Sequence, residues 1–302
     1  MRLEVRIGPL RLRNPVLVAS GTAGYGEELS QFLELSELGA FVLKGVSLRP
    51  WAGNPPPRVL QVQGGLLNSI GLQNVGLRVL LEEKLPWLRK RYPRLPLVAN
   101  VLGTEVAEYR ELAQALDGEV EAVELNLSCP NVRRGGLAFS QDRRAFARVI
   151  REVRKALRQS LLIVKLSPVS SVREFAPLAE ASGAQALSLI NTIPAMAVDV
   201  KRRRPYFPRV LAGLSGPAIK PIAVRMLYEA RRATGLPLIG MGGIRSAQDA
   251  LEFLLAGATA VAIGTALFSD PTTPRKVLQG IKEFLKEEGL KDIGEIIGAL
   301  RV

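Results

Sequence analysis

The stretch Pro237-Leu-Ile-Gly-Met-Gly-Gly-Ile-Arg-Ser-Ala-Gln-Asp-Ala-Leu-Glu-Phe-Leu-Leu-Ala-Gly-Ala-Thr-Ala-Val-Ala-Ile-Gly-Thr265 contains one complete strand–helix–strand unit. Two short apolar runs, 237–241 and 260–264, flank an amphipathic segment at 246–256. The runs are apolar throughout instead of alternating, which suits strands buried on both faces, as in a parallel sheet. Each run passes directly into a glycine motif, Gly242-Gly243 and Gly264-Thr265. A parallel strand needs a crossover before the next one, and the amphipathic segment supplies it.

Outward from this unit the same rhythm recurs. Further strands are expected at 15–20, 40–46, 96–102, 122–128, 161–166 and 186–191. Further helical patterns fall at 105–116, 142–158, 172–182, 217–233 and 274–287. Eight strands alternating with helices over about 250 residues predict an α/β fold, the (β/α)8 TIM barrel. Residues 3–15 read as an N-terminal β-hairpin: Leu3, Val5 and Ile7 alternate with polar residues, and Gly8-Pro9 turns into Leu10 and Leu12. An open doubly wound sheet would fit the rhythm but needs a nucleotide fingerprint. The sole candidate, Gly21-Thr-Ala-Gly24-Tyr-Gly26, has GxxGxG spacing where GxGxxG is required. No repeat, low-complexity tail or linker divides the chain, so residues 1–302 are expected to form a single domain.

Composition narrows the chemistry. The chain has one cysteine and no histidine. An internal disulfide is impossible, a structural zinc site lacks its usual ligands, and an iron–sulfur cluster held by this chain alone is excluded. Serine–histidine triads and histidine bases are excluded as well. No apolar run reaches membrane-spanning length, and Met1-Arg-Leu-Glu-Val-Arg6 is no signal-peptide core. A cytoplasmic protein without a membrane anchor is expected.

The formal charge of +13 favours anionic partners, yet aromatics make up only 5% and are not interleaved with basic residues for base stacking. Nucleic acid is therefore not expected as a partner. Arg144, Arg148, Arg151, Lys155 and Arg158 form one stripe of a helix, opposite Phe146, Val149, Ile150, Val153 and Leu157. That stripe reads as a solvated outer face, with docking of an acidic partner as the alternative. Lys201-Arg-Arg-Arg204 reads as solvated loop, with steering of a partner or substrate as the alternative.

In a TIM barrel the chemistry gathers at the C-terminal ends of the strands. Polar residues there are Ser20-Gly21, Lys44, Asn100, Asn126, Ser128-Cys129-Pro130-Asn131, Lys165 and Asn191-Thr192. Two lysines and several asparagines in apolar strands are costly to bury unless paired. Such a ring of amides and cations suits a planar, hydrogen-bond-rich anion. Glycine loops after strands seven and eight commonly bind phosphate through backbone N–H groups. With Lys44 and Lys165 they fit a flavin mononucleotide, whose reduced ring a lysine would stabilise. The phosphate signal is shared by non-redox barrels, isomerases and synthases, which stay open at this point. Cys129, in a polar strand-end loop, is a candidate general base; a thiol of reference pKa ~8.5 can serve if its environment is tuned.

The chain resembles the dihydroorotate dehydrogenase family over essentially its whole length. The matching stretches are Ala19–Glu28, Leu67–Asn74, Glu124-Leu-Asn-Leu-Ser-Cys-Pro-Asn131, Gly213–Pro221 and Gly240-Met-Gly-Gly-Ile244. The resemblance implies an FMN-bound (β/α)8 barrel that oxidises dihydroorotate to orotate. A cysteine at position 129 is similar to class 1, where class 2 carries serine. The stretches Leu67–Asn74 and Gly213–Pro221 look most like class 1B. That subclass pairs a homodimeric FMN core with a subunit carrying FAD and a [2Fe–2S] cluster, as a heterotetramer, and passes electrons to NAD. Class 1A, which uses fumarate without that subunit, is the alternative.

Residue by residue, the resemblance implies that Cys129 removes the C5 proton while hydride leaves C6. It implies Lys44, Asn68, Gly71, Leu72, Asn126, Asn131, Asn191 and Thr192 around dihydroorotate. It implies Ser20, Gly21, Lys44, Asn100, Asn126, Lys165, Gly216, Gly242, Gly243, Gly264 and Thr265 around FMN. No metal site is implied on this chain.

Overall fold

The computed structural model describes residues 1–127 and 142–301. Eight strands close into a barrel: β1 Val16–Val18, β2 Ala40–Val42, β3 Leu97–Val101, β4 Ala122–Asn126, β5 Leu161–Lys165, β6 Ala186–Leu189, β7 Leu238–Met241 and β8 Ala260–Ile263. Each pairs in parallel with its neighbours in sequence. β6 pairs with β7, and β8 closes the ring on β1, with Val261 opposite Val16. The predicted (β/α)8 barrel is thus the observed architecture. The N-terminal hairpin is present as Val5–Ile7 against Leu10–Leu12, turning at Gly8 with φ +58.

The expected crossover helices appear within three residues of their predicted ends, as Val106–Leu116, Arg143–Ala156, Val172–Ala181, Lys220–Ala233, Ala247–Leu255 and Thr273–Glu287, with the 3-10 turn Pro217–Ile219 occupying the expected start of the fourth. Local sequence explains their starts. Asp142 accepts hydrogen bonds from the N–H groups of Arg144 and Ala145, satisfying donors that the first turn leaves free. Ser246 and Asp249 form a reciprocal capping box at Ala247, and Glu105 and Glu108 form one at Val106. Helix and strand pack closely: a Cβ on Gly240 of β7 would lie 2.6 Å from the Phe253 ring. Every residue of β5 is buried, and each such Leu or Ile stabilises the barrel by ~1.5–3 kcal/mol relative to exposure.

Two regions depart from the simple rhythm. After β1 the chain makes two 3-10 turns, Leu29–Gln31 and Leu35–Glu37, where a regular barrel has a helix. After β2 and β6 it makes long excursions whose short strands join as an antiparallel sheet, in the order Ile193–Ala195, Ala212–Ser215, Gly65–Asn68 and Val59–Val62. The sequence reading did not anticipate this cap. Its strands are three or four residues of mixed burial, too short for a period to register. The cap buries its own small cluster of Leu67, Phe207 and Ala212.

Both basic features lie in solvent. Arg144, Arg148, Arg151, Lys155 and Arg158 are exposed, while Phe146, Val149, Ile150 and Val153 face the core. Residues 201–204 are likewise exposed. No described helix is long and apolar enough to cross a membrane.

Candidate active site

Among the described residues, the interior of the barrel carries a polar cluster rooted on β4. Register sets Asn100 of β3 beside Glu124 of β4, and Asn126 of β4 beside Lys165 of β5. The Glu124 carboxylate is only 1% exposed. It accepts from Asn100 Nδ2 at 2.6 Å through Oε1 and from Ser188 Oγ at 2.6 Å through Oε2. Lys165 Nζ stands 3.7 Å from Oε1, with a side chain 7% exposed. A buried charge is tolerated when its partners are also present, and here three elements provide them.

From this root a line of amides runs to the barrel mouth. Asn126 Nδ2 donates to Asn100 Oδ1 at 3.4 Å, and Asn191 Nδ2 donates to Asn126 Oδ1 at 3.3 Å. The backbone N–H of Thr192 then donates to Asn191 Oδ1 at 2.8 Å. Tyr109, from the helix behind β3, donates its hydroxyl to the Asn126 carbonyl at 3.1 Å and steadies the end of β4. The cap meets this line at Gly213. Asn68 Nδ2 donates to the Gly213 carbonyl, and a Cβ on Gly213 would lie 2.2 Å from Thr192 Oγ1. Only glycine allows Asn68 and Thr192 to come together there.

On the β2 side, Lys44 borders a recess of roughly 440 Å³ shared with Tyr25, Trp51, Gln73 and Asn74. Burial holds the Lys44 amine below the ordinary lysine range; Glu28 opposes the shift and Arg58 adds to it. The neighbouring turn is held firmly. Asn74 Nδ2 donates to the Leu72 carbonyl at 2.9 Å and to Ser47 Oγ at 2.8 Å. Leu72 has φ +61, unusual for a branched side chain, and Gly71 has φ +70 with Asn54 packed where a Cβ would go.

The remaining part of the mouth is made of glycine. Gly216, Gly242 and Gly243 have φ +97, +126 and +84. A Cβ on Gly243 would stand 2.9 Å from the Gly216 carbonyl, so these two loops meet backbone to backbone. They converge at the start of helix Lys220–Ala233. Lys220 is drawn away from them by Asp249 at 2.7 Å and Glu252 at 2.6 Å. Gly264 leads into the turn Thr265–Phe268 and faces Ala19 at the end of β1, with Ser20 and Gly21 following. Around Gly21, at φ +99, no heavy atom of the described residues, its chain neighbours aside, lies within 4 Å of a Cβ built there.

The structure therefore brings the expected residues into three groups. Asn100, Asn126, Asn191 and Thr192 form one hydrogen-bonded set, to which Lys165 is tied by its ion pair with Glu124 and Asn68 through Gly213. Lys44 shares its recess with Gln73 and Asn74, which directly follow the Gly71–Leu72 turn. Ser20, Gly21, Gly216, Gly242, Gly243, Gly264 and Thr265 form the glycine-rich rim. Cys129 and Asn131 lie outside the described residues. Glu124, Ser188 and Tyr109 were missed. The signal for Glu124 was available: a carboxylate between Val123 and Leu125, in a strand buried on both faces, requires partners inside.

The family model described as "Dihydroorotate dehydrogenase" matches residues 2–285. A curated protein of Trichlorobacter lovleyi, named dihydroorotate dehydrogenase B (NAD(+)), catalytic subunit, is 52% identical over 301 residues, covering 99% of this chain and 98% of its own. A Thermoanaerobacter pseudethanolicus protein of the same name is 48% identical over 304 residues and the full length of both chains. The crystal structure of DHODH in complex with ferulenol from Eimeria tenella superposes with a TM-score of 0.84 at 23% identity, over 99% of this chain and 88% of that one. At that identity the likeness concerns the fold. Matched by the family model along nearly all of its length and about half identical to curated relatives, the chain belongs to the dihydroorotate dehydrogenase family.

Proposed function

We propose that this chain is the FMN-dependent catalytic subunit of a class 1B dihydroorotate dehydrogenase. It oxidises dihydroorotate to orotate in de novo pyrimidine (UMP) biosynthesis and passes electrons to NAD through a second subunit carrying FAD and a [2Fe–2S] cluster. The observation that carries this reading is the composition of the barrel mouth: a line of asparagine amides with a buried lysine beside a rim made of glycine. The printed names of the relatives, NAD(+) and catalytic subunit, support the subclass.

The residues present fit FMN. Its planar ring offers both donors and acceptors, matched by amides that provide both. Its phosphate suits the Gly216 and Gly242–Gly243 loops, where a side chain would collide with Gly65 or Lys220 and where backbone N–H groups can approach closely. In the proposal Ser20, Gly21, Lys44, Asn100, Asn126, Lys165, Gly216, Gly242, Gly243, Gly264 and Thr265 hold FMN. When bound, FMN supplies a two-electron acceptor for hydride.

The chain's own residues do the rest. Lys44, Asn68, Asn126, Asn131, Asn191 and Thr192 bind the carboxylate and ring amides of dihydroorotate, and Gly71 and Leu72 line the pocket. Cys129, three positions beyond the end of β4 in sequence, takes the C5 proton as hydride departs from C6. One proton and one hydride leave, and the C5–C6 double bond of orotate forms. The Lys165 ammonium stabilises negative charge that develops on the reduced ring.

With one cysteine in 302 residues, this chain has too few thiolates for a [2Fe–2S] cluster, so that cluster belongs to the partner. The proposed assembly is a homodimeric core with two electron-transfer subunits, located in the cytoplasm, each chain acting as a single domain over residues 1–302.

The test is an anaerobic titration of the purified flavoprotein. Dihydroorotate should bleach the flavin, and NAD should reverse bleaching only after an iron–sulfur flavoprotein subunit is added. Reversal by fumarate alone would assign class 1A, and FMN without bleaching would mean another substrate. Cys129→Ala should retain FMN and slow the bleaching step by roughly 10²–10⁴; an unchanged single-turnover rate would remove Cys129 from the mechanism.

A further inference from the structure

We infer that Glu124 is a positioning residue that sets the direction of the amide line and offsets the charge of Lys165 at the ring. The inference rests on the FMN and orotate reading above. Every link of the line donates toward Glu124: Thr192 N–H to Asn191, Asn191 to Asn126, Asn126 to Asn100, Asn100 to the carboxylate. An amide alone does not choose this direction, because it presents a donor and an acceptor that exchange places on a half-turn. A carboxylate offers only acceptors. Placed at the buried end, Glu124 forces Asn100 to present Nδ2 inward and Oδ1 outward, and the same sense passes to Asn126 and Asn191.

Ser188 and Lys165 keep the root in place. Ser188 Oγ occupies Oε2 at 2.6 Å, leaving Oε1 for Asn100 at 2.6 Å and Lys165 at 3.7 Å. Glu124 is not among the residues proposed to hold either ligand; it acts through Asn100 and Lys165. Two consequences follow. A directed line presents a defined pattern of donors and acceptors to a planar ligand, so its loss weakens orotate binding. The negative charge beside Lys165 reduces the net positive field at the ring, so its removal makes the reduced, anionic flavin easier to form.

Glu124→Gln tests both, since it keeps the shape, removes the charge and can donate. In folded, FMN-replete protein, orotate titration followed by the flavin spectrum should give a Kd raised about tenfold, the scale of one charged hydrogen bond. The midpoint potential, measured without substrate, should move to more positive values. Exchanging the two groups, E124Q with N100D, returns an acceptor-only group to the line and should recover part of the orotate affinity.

Ser188→Ala provides an independent route that leaves every proposed ligand contact in place. It removes a donor from the carboxylate but keeps its charge, so the orotate Kd should rise by a smaller factor while the midpoint potential should not move to more positive values. A purely structural role would lower melting temperature and flavin content without raising the potential. Unchanged potential and Kd in E124Q, with orotate binding normally to the unaltered protein, would overturn this inference alone. Failure of the unaltered protein to hold FMN or orotate would overturn it together with the proposed function.

Discussion

The two sides of the barrel mouth handle polarity in opposite ways. From β3 to β6 the work is done by side chains: Asn100, Glu124, Asn126, Lys165, Ser188 and Asn191, joined in one network within the barrel. After β6, β7 and β8 it is done by backbone: Gly216, Gly242, Gly243 and Gly264 remove side chains so that main-chain groups can approach the opening. A side-chain network can recognise a ring edge by edge, because each amide has a sense. A glycine rim cannot read a pattern, but it can surround a compact anion with N–H groups at little reorganisation cost. The difference teaches that ring recognition and anchoring are separable, and substitutions on the two sides should fail differently.

The largest expected effect tests the side-chain half. Lys165→Ala leaves the Glu124 carboxylate buried without its ammonium, which should lower stability by ~3–5 kcal/mol in denaturant unfolding. In protein that retains FMN, the reduction potential should fall, opposite in sign to the shift expected for Glu124→Gln. Normal stability and potential would mean that this pair is not the charge centre of the site.

The backbone half should respond with a smaller and different loss. Gly243→Ala puts a methyl 2.8 Å from Lys220 Cβ at φ +84, a strain of about 1–3 kcal/mol. We expect FMN to be released on gel filtration, with the orotate affinity of the FMN-loaded fraction close to normal. Equal losses of both ligands would break the proposed separation of recognition from anchoring.

The smallest effect concerns Lys44, at the boundary between the halves. Its folded-state pKa lies below 10.5 because burial penalises the ammonium. Anion binding needs the charged form, so orotate affinity should decline as pH rises through that lowered pKa, before an ordinary lysine would titrate. The sign for folding is consistent: below the lowered pKa the buried charge costs stability, and this cost is relieved as pH rises from the lowered pKa to the unfolded value of 10.5. Orotate affinity independent of pH up to 10.5 would remove Lys44 from the anion site.

Much of this was legible in sequence because it depends on local pattern. The apolar runs at 161–166 and 260–264 declare strands buried on both faces, and the amphipathic patterns at 142–158 and 246–256 start within a residue of where the helices begin. The strand-end lysines and asparagines were visible for the same reason, being polar residues in segments otherwise committed to burial. Other features were not legible. The cap sheet joins residues 59–68 to 193–215 through strands too short to carry a period, and only pairing across the chain defines them. The 3-10 turns after β1 replace a helix that the barrel rhythm alone would lead one to expect.

The amino-acid sequence by itself determined the barrel, its hairpin, the exclusion of histidine and cluster chemistry on this chain, and the types of residue gathered at the strand ends. These follow from hydrophobic period, composition and chain order, which are properties of the sequence. Tertiary structure alone decided that Glu124 lies at the root of the amide line, that Ser188 shares its carboxylate, and that Asn68 meets Thr192 over a glycine. Direction in a hydrogen-bonded line is a property of who faces whom across strands that the sequence separates by 24 to 65 positions. It comes into being only when the barrel closes.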